Sequence, residues 1–204
     1  MKADNILISS ENSLAIVIDP LADFISEKGA FSRCYGEKDT ERVRNVANDL
    51  EAMVDEWNER VRVLLCRSKY EYDQCKVRNL EMLCVTEQGR ESMIAPEMFS
   101  AVIEKYENSI LCSPDIEEYL SDEILHLIPT GITTTSCVRK SIRGIQEKFP
   151  HIKIIIPKNA VASRISREND ENALLDLWGK SNNVIVVKRW QDIDLDIPSG
   201  RRRA

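Results

Sequence analysis

The chain has 204 residues, 43% of them apolar and 30% charged, and its 28 Lys and Arg against 34 Asp and Glu leave a formal net charge of -6. That length suits one domain with a sizeable core, and the negative balance gives no general attraction to nucleic acid or to an anionic membrane surface. Nothing approaches the ~18 consecutive apolar residues of a membrane span, and six cysteines without a Cys-x-x-Cys pair, joined by only two histidines, offer no zinc spacing, so neither a metal nor another cofactor is expected.

Met1-Lys2-Ala3-Asp4-Asn5 opens no secretory-type apolar segment, and with its free thiols the protein is expected in the cytoplasm. Leu14-Ala15-Ile16-Val17-Ile18 is a continuous apolar run, the pattern of a strand buried on both faces, and Asp19-Pro20 ends it. A loop over 20–37 follows. From Asp39 to Arg60 the apolar positions Val43, Val46, Leu50, Met53, Val54 and Trp57 recur every three or four residues, which predicts an amphipathic helix. Arg62 to Cys66 reads as the next buried strand. Residues 67–100 are charged and aperiodic, a long excursion of the kind that serves function or lacks order.

Ala101-Val102-Ile103 is a third strand, closed by Glu104 and Lys105, and Ser113-Pro114-Asp115 caps a helix through Leu120. Ile124 to Ile128 is a fourth strand, running into Pro129-Thr130-Gly131. A helix opens near Cys137, with Val138, Ile142, Ile145 and Phe149 on one face. Ile152 to Ile156 and Val184 to Val187 are further strands, separated by a helix from Glu168 to Gly179 with Leu174, Leu175 and Trp178 inward. Alternating buried strands and amphipathic helices imply an α/β fold, a mostly parallel sheet covered on both faces. The domain is expected over 1–188, with 189–204 a tail too acidic, around Asp192 to Asp196, for a core strand. The basic run at 200–203 reads as solvated.

In such sheets the site lies beyond the carboxyl ends of the strands. Asp19, Lys105 and Cys137 all fall there: an acid able to take a thiol proton, an ammonium favouring anions, and a thiol at a helix start, where unpaired N–H groups and the peptide dipoles favour a thiolate and can hold an oxyanion. Asp19-Pro20-Leu21-Ala22 supplies no glycine-rich phosphate turn, which disfavours a nucleotide binder.

Three segments resemble the isochorismatase-like cysteine hydrolase superfamily, which includes nicotinamidases and N-carbamoylsarcosine amidases. They are Ile16-Val17-Ile18-Asp19-Pro20-Leu21-Ala22-Asp23-Phe24, then Lys105 with Ser109 four residues later, and Gly131-Ile132-Thr133-Thr134-Thr135-Ser136-Cys137-Val138. The resemblance, over about residues 12 to 188, implies a three-layer α/β/α fold on a six-stranded parallel sheet and an Asp19, Lys105, Cys137 triad. It also implies a cis peptide between Ile132 and Thr133 and an oxyanion hole from the Thr133 and Cys137 N–H groups. The activity implied is hydrolysis of a small amide or ureido compound through a thioester, by a homodimer or homotetramer. Where metal-dependent nicotinamidases carry histidines, this chain reads Arg67-Ser68-Lys69-Tyr70-Glu71-Tyr72-Asp73-Gln74, so no metal is implied and nicotinamidase activity is disfavoured. Substrate contacts are expected from Phe24, Arg67, Tyr70 and Ile132, with Lys69 and Arg78 as further cations for an anionic group. The competing readings are a redox-regulated scaffold that retains the fold and a vinyl-ether hydrolase of the isochorismatase type, which needs no cysteine.

Overall fold

A computed structural model describes residues 5–77, 80 and 82–196. Six consecutively paired strands form its main sheet: β2 (Ser13–Ile18), β3 (Arg62–Ser68), β4 (Ala101–Lys105), β5 (His126–Ile132), β6 (Lys153–Pro157) and β8 (Val184–Val187). Their order is β4-β3-β2-β5-β6-β8, every pairing is parallel, and the two-residue strand β7 (Val161–Ala162) pairs with the end of β5. The fold is thus α/β with a mostly parallel sheet. β1 (Ile6–Ser9) stands outside it and pairs in parallel with β9 (Ile193–Asp196).

The continuous apolar runs follow from two covered faces. In β2, Ala15 and Val17 join a core that includes Val43, Val46, Leu50, Met53 and Trp57 of α3 (Glu41–Trp57). Leu14, Ile16 and Ile18 join a second core with Ile142 and Ile145 of α5 (Arg139–Lys148) and Leu175 and Trp178 of α6 (Glu168–Trp178). Successive side chains point to opposite faces, so only an unbroken apolar run fills both. Burying one Val, Leu or Ile contributes roughly 1.5–3 kcal/mol.

The loop over 20–37 contains two short helices, α1 (Ala22–Ile25) and α2 (Ala30–Tyr35), and the excursion after β3 contains α4 (Tyr72–Val77). Asp23 ties these together, its Oδ1 accepting from Ala30 N at 3.1 Å and its Oδ2 from Cys84 N at 2.7 Å.

Two expectations are corrected. No α-helix forms over 113–120, where a 3-10 turn at Ile116–Glu118 buries Ile116; seven residues before the chain must extend again hold too few apolar positions for more. Leu174, half-buried, packs against the same core as Leu175 and Trp178, and Glu171 joins them on the inward face of α6. Residues 190–196 are not a tail: Trp190, Ile193 and Leu195 pack into the α3-side core while Asp194 and Asp196 point outward. Alternating acids suit a half-buried strand, which the acidity of this segment disguised. The basic run at 200–203 lies outside the described residues.

Candidate active site

Strand order reverses between β2 and β5, and the ends of β2, β3, β4 and β5 lie side by side there. Asp19 follows β2 in a left-handed conformation, φ 57°, which Asp tolerates better than most side chains. Its N–H donates to Cys66 O of β3 at 2.9 Å, and its Oδ1 accepts from Ser68 N at 2.7 Å. Lys105 ends the edge strand β4, two strand spacings from β2 or ~10 Å, and its long stem spans that gap. Nζ lies 2.8 Å from Asp19 Oδ2 and donates to Ser68 Oγ at 2.5 Å and Glu107 O at 3.3 Å.

Cys137 belongs to a π-helical turn, Thr134–Val138, that leads from β5 into α5. Single π turns widen a helix locally and are frequent at functional sites. Gly131 allows the approach: its φ is +103°, and a Cβ there would stand 2.1 Å from Ile18 O of β2. The Ile132–Thr133 peptide is cis. Thr135 N and Oγ1 each lie 3.0 Å from Ser163 Oγ, just past β7, while Ser141 Oγ donates to Cys137 O at 2.7 Å. The turn is thereby held at both ends.

Cys137 Sγ sits 3.7 Å from Lys105 Nζ and 3.9 Å from Tyr70 Oη. The Tyr70 hydroxyl also reaches Asn108 Oδ1 at 3.3 Å, and Asn108 Nδ2 donates to Ser136 Oγ at 2.7 Å. Asp19 and Lys105 are fully buried, and Cys137 is 4% exposed.

The charges depart from the helix-start expectation. Burial pushes the Cys137 thiol above its ordinary pKa; Lys105 opposes this, and the Asp19 carboxylate adds to it. The resting sulfur is therefore a thiol, because burial outweighs the pull of the Lys105 charge and the Tyr70 hydroxyl. Burial pulls the Lys105 ammonium down, but the Asp19 carboxylate 2.8 Å away outweighs it and holds it charged.

A cavity of about 290 Å³ opens above the sulfur. Of the residues singled out from the sequence, Phe24, Tyr70, Thr133 and Cys137 line it. Arg67 and Ile132 do not. Arg67 donates to Glu104 Oε1 from Nε at 3.1 Å and Nη2 at 2.7 Å, and Lys69 holds Oε2 at 2.9 Å. A carboxylate on the neighbouring strand captures both cations. Ile132 is fully buried in the α3-side core. Arg78 lies outside the described residues. Unexpected in the wall are Tyr35, Asn108, Arg139, Arg164 and Arg167. Arg139 and Ser136 adjoin Cys137 in sequence and could have been found from it, whereas Arg164 and Arg167 carry no local signal. Among the described residues no group of three or more His, Cys, Asp or Glu could hold a metal ion, and no helix is long and apolar enough to cross a membrane.

No protein-family model matches the chain, and no curated protein matches it in sequence. Solved structures match its fold. An isochorismatase-like hydrolase from Alkaliphilus metalliredigens is 19% identical with a TM-score of 0.67, over 90% of this chain and 94% of that one. N-carbamoylsarcosine amidase from Thermoplasma acidophilum is 17% identical with a TM-score of 0.66, over 87% and 96%. A nicotinamidase from Bacillus subtilis is 21% identical with a TM-score of 0.67, over 87% and 99%.

Proposed function

From the isochorismatase-like hydrolase fold of this chain, we propose that it is a cysteine-dependent amidohydrolase of a small amide or ureido compound. The observation that carries the reading is the contact chain that runs inward from the cavity: Sγ of Cys137 3.7 Å from Nζ of Lys105, itself 2.8 Å from Oδ2 of Asp19. A nucleophile, a general base and a fixed cation are what acyl transfer through a thioester requires.

Because the resting sulfur is a thiol, attack is coupled to proton transfer. Sγ adds to the amide carbonyl as its proton passes to Asp19, and the tetrahedral oxyanion is held by the Thr133 and Cys137 N–H groups. Collapse breaks the C–N bond, with the proton on Asp19 going to the departing ammonia. Water then gives a proton to Asp19 and attacks the thioester. Cleavage of the C–S bond releases the acid, and the sulfur recovers its proton from Asp19. Lys105 keeps its charge throughout and balances each anion as it forms. Removing one oxyanion donor typically costs ~2.7–4 kcal/mol.

A redox-regulated scaffold would need an accessible sulfur with thiolate character. The raised pKa of Cys137 suits that role poorly. Vinyl-ether hydrolysis would proceed without the cysteine. A screen of small primary amides and ureido compounds for ammonia release, repeated with Cys137→Ala, separates these readings. Amide turnover abolished by the substitution, with an acyl adduct on Cys137 by mass spectrometry, is expected; an undiminished rate in the variant would exclude the mechanism.

A further inference from the structure

The described wall of the cavity contains three arginines, Arg139, Arg164 and Arg167, and no acidic residue. The reacting groups do not offset this charge. Asp19 and Lys105 neutralise one another at 2.8 Å, and burial holds the sulfur as a neutral thiol. Two of the three are ion-paired from behind the wall, Arg164 with Asp39 and Arg167 with Asp170, so the partly enclosed site keeps the uncompensated charge of Arg139 beside the spare guanidinium donors of the other two, an arrangement set up for an anion.

Arg164 is fixed from two sides. Its Nη1 donates to Asp39 Oδ2 at 2.8 Å, and its guanidinium carbon lies 3.6 Å from the centroid of the Tyr35 ring. Asp39 is held in turn, accepting from Ser166 N at 2.6 Å and Ser166 Oγ at 2.8 Å. A guanidinium has five N–H donors in a rigid fork, so one partner leaves donors for a ligand, and a side chain already ordered loses little freedom on binding. Arg139, two residues beyond the nucleophile, has no ion pair or side-chain hydrogen bond among the described residues. Arg167 pairs with Asp170 at 3.0 Å and stands at the exposed rim. Phe24 and Phe31 supply apolar wall elsewhere. The volume of about 290 Å³ is at the small end for ligand pockets.

We propose that the pocket selects small amides or ureido compounds that carry a carboxylate, with the scissile carbonyl at Cys137 and the carboxylate on the Arg139, Arg164 and Arg167 wall. The assignment rests on the amidohydrolase reading and adds the substrate's charge to it.

The test compares pairs that share the reacting group and differ only in the far end: succinamate against 4-methylpentanamide, and ureidoacetate against isobutylurea. Each neutral member replaces the carboxylate by an isopropyl group of similar shape. The charged members are expected to have a kcat/KM at least about tenfold higher, or about 1.4 kcal/mol. Arg164→Gln and Arg139→Gln should each collapse that ratio, and Arg139→Lys should keep part of it; Arg139, which has no side-chain partner among the described residues, keeps the test usable if Arg164→Gln fails to fold. Binding is read separately by calorimetric titration of the Cys137→Ala protein with succinate and with succinamide. Preference for succinate, lost with Arg139→Gln, supports the carboxylate subsite even if no amide is turned over, an outcome that would sink the amidohydrolase reading and the placing of a scissile carbonyl at Cys137. Equal kcat/KM within each pair, or succinate binding no tighter than succinamide, overturns the carboxylate assignment and leaves the hydrolase reading intact.

Discussion

Replacing Lys105 by Met isolates the energetics of the site. Both Lys105 and Asp19 are fully buried, and the substitution keeps the apolar stem while removing the cation 2.8 Å from Asp19 Oδ2. It also removes the donor to Ser68 Oγ and Glu107 O. Asp19 Oδ1 keeps the Ser68 N–H at 2.7 Å, so the carboxylate is left half satisfied and without its counter-charge. Breaking a buried pair from one side costs ~3–5 kcal/mol, a large share of the ~5–15 kcal/mol that holds a domain together. For a chain of this size that is about 6–20 °C in Tm. The double variant Asp19→Asn/Lys105→Met removes both charges and should recover most of the loss, since neutral replacement of a whole pair is often close to isoenergetic. Urea unfolding of wild type, both single variants and the double variant gives the coupling directly. A Lys105→Met penalty below about 1 kcal/mol, the range of exposed pairs, would refute the idea that this pair is shut away from water.

Gly131→Ala should destabilise by ~1–3 kcal/mol, the usual cost of overpacking, because its Cβ would meet Ile18 O at 2.1 Å where φ is +103°; an unchanged thermal midpoint would contradict that close approach. Iodoacetamide at neutral pH should label the half-buried Cys34 and Cys112 ahead of Cys137, whose labelling should climb only as the pH passes the ordinary cysteine range, since burial raises its pKa; fast neutral-pH labelling of Cys137, read by peptide mass spectrometry, would refute the resting thiol. Burial raises the Asp39 carboxyl, but its bonds to Ser166 and Arg164 outweigh this and hold it below 3.8, so it contributes stability above that pH which is lost as the pH falls through the lower folded value. Asp39→Asn should therefore be less stable than wild type at neutral pH by about 1 kcal/mol, with the gap closing in acid; a gap independent of pH would count against the Asp39–Arg164 pairing.

What could be read along the chain was whatever local pattern encodes. The apolar runs of β2, β3 and β5 and the three- and four-residue spacing of α3 mark where buried strands and a covering helix must lie, because side-chain direction in each element is set by its own backbone period. The same logic put Asp19, Lys105 and Cys137 at strand ends. Tertiary structure decided the rest. Only the parallel register brings Lys105 across Ser68 to Asp19, only depth of burial decides that Cys137 rests as a thiol, and only the pairing of β3 with β4 turns Arg67 and Lys69 to Glu104 rather than to the cavity. Arg164 reaches the pocket through Asp39 and Tyr35, more than a hundred residues earlier in the chain. Charge and burial depend on every neighbour in space, whereas the periodicity of a segment depends on its own few residues, so folding alone settles which cations face a ligand and which face a carboxylate.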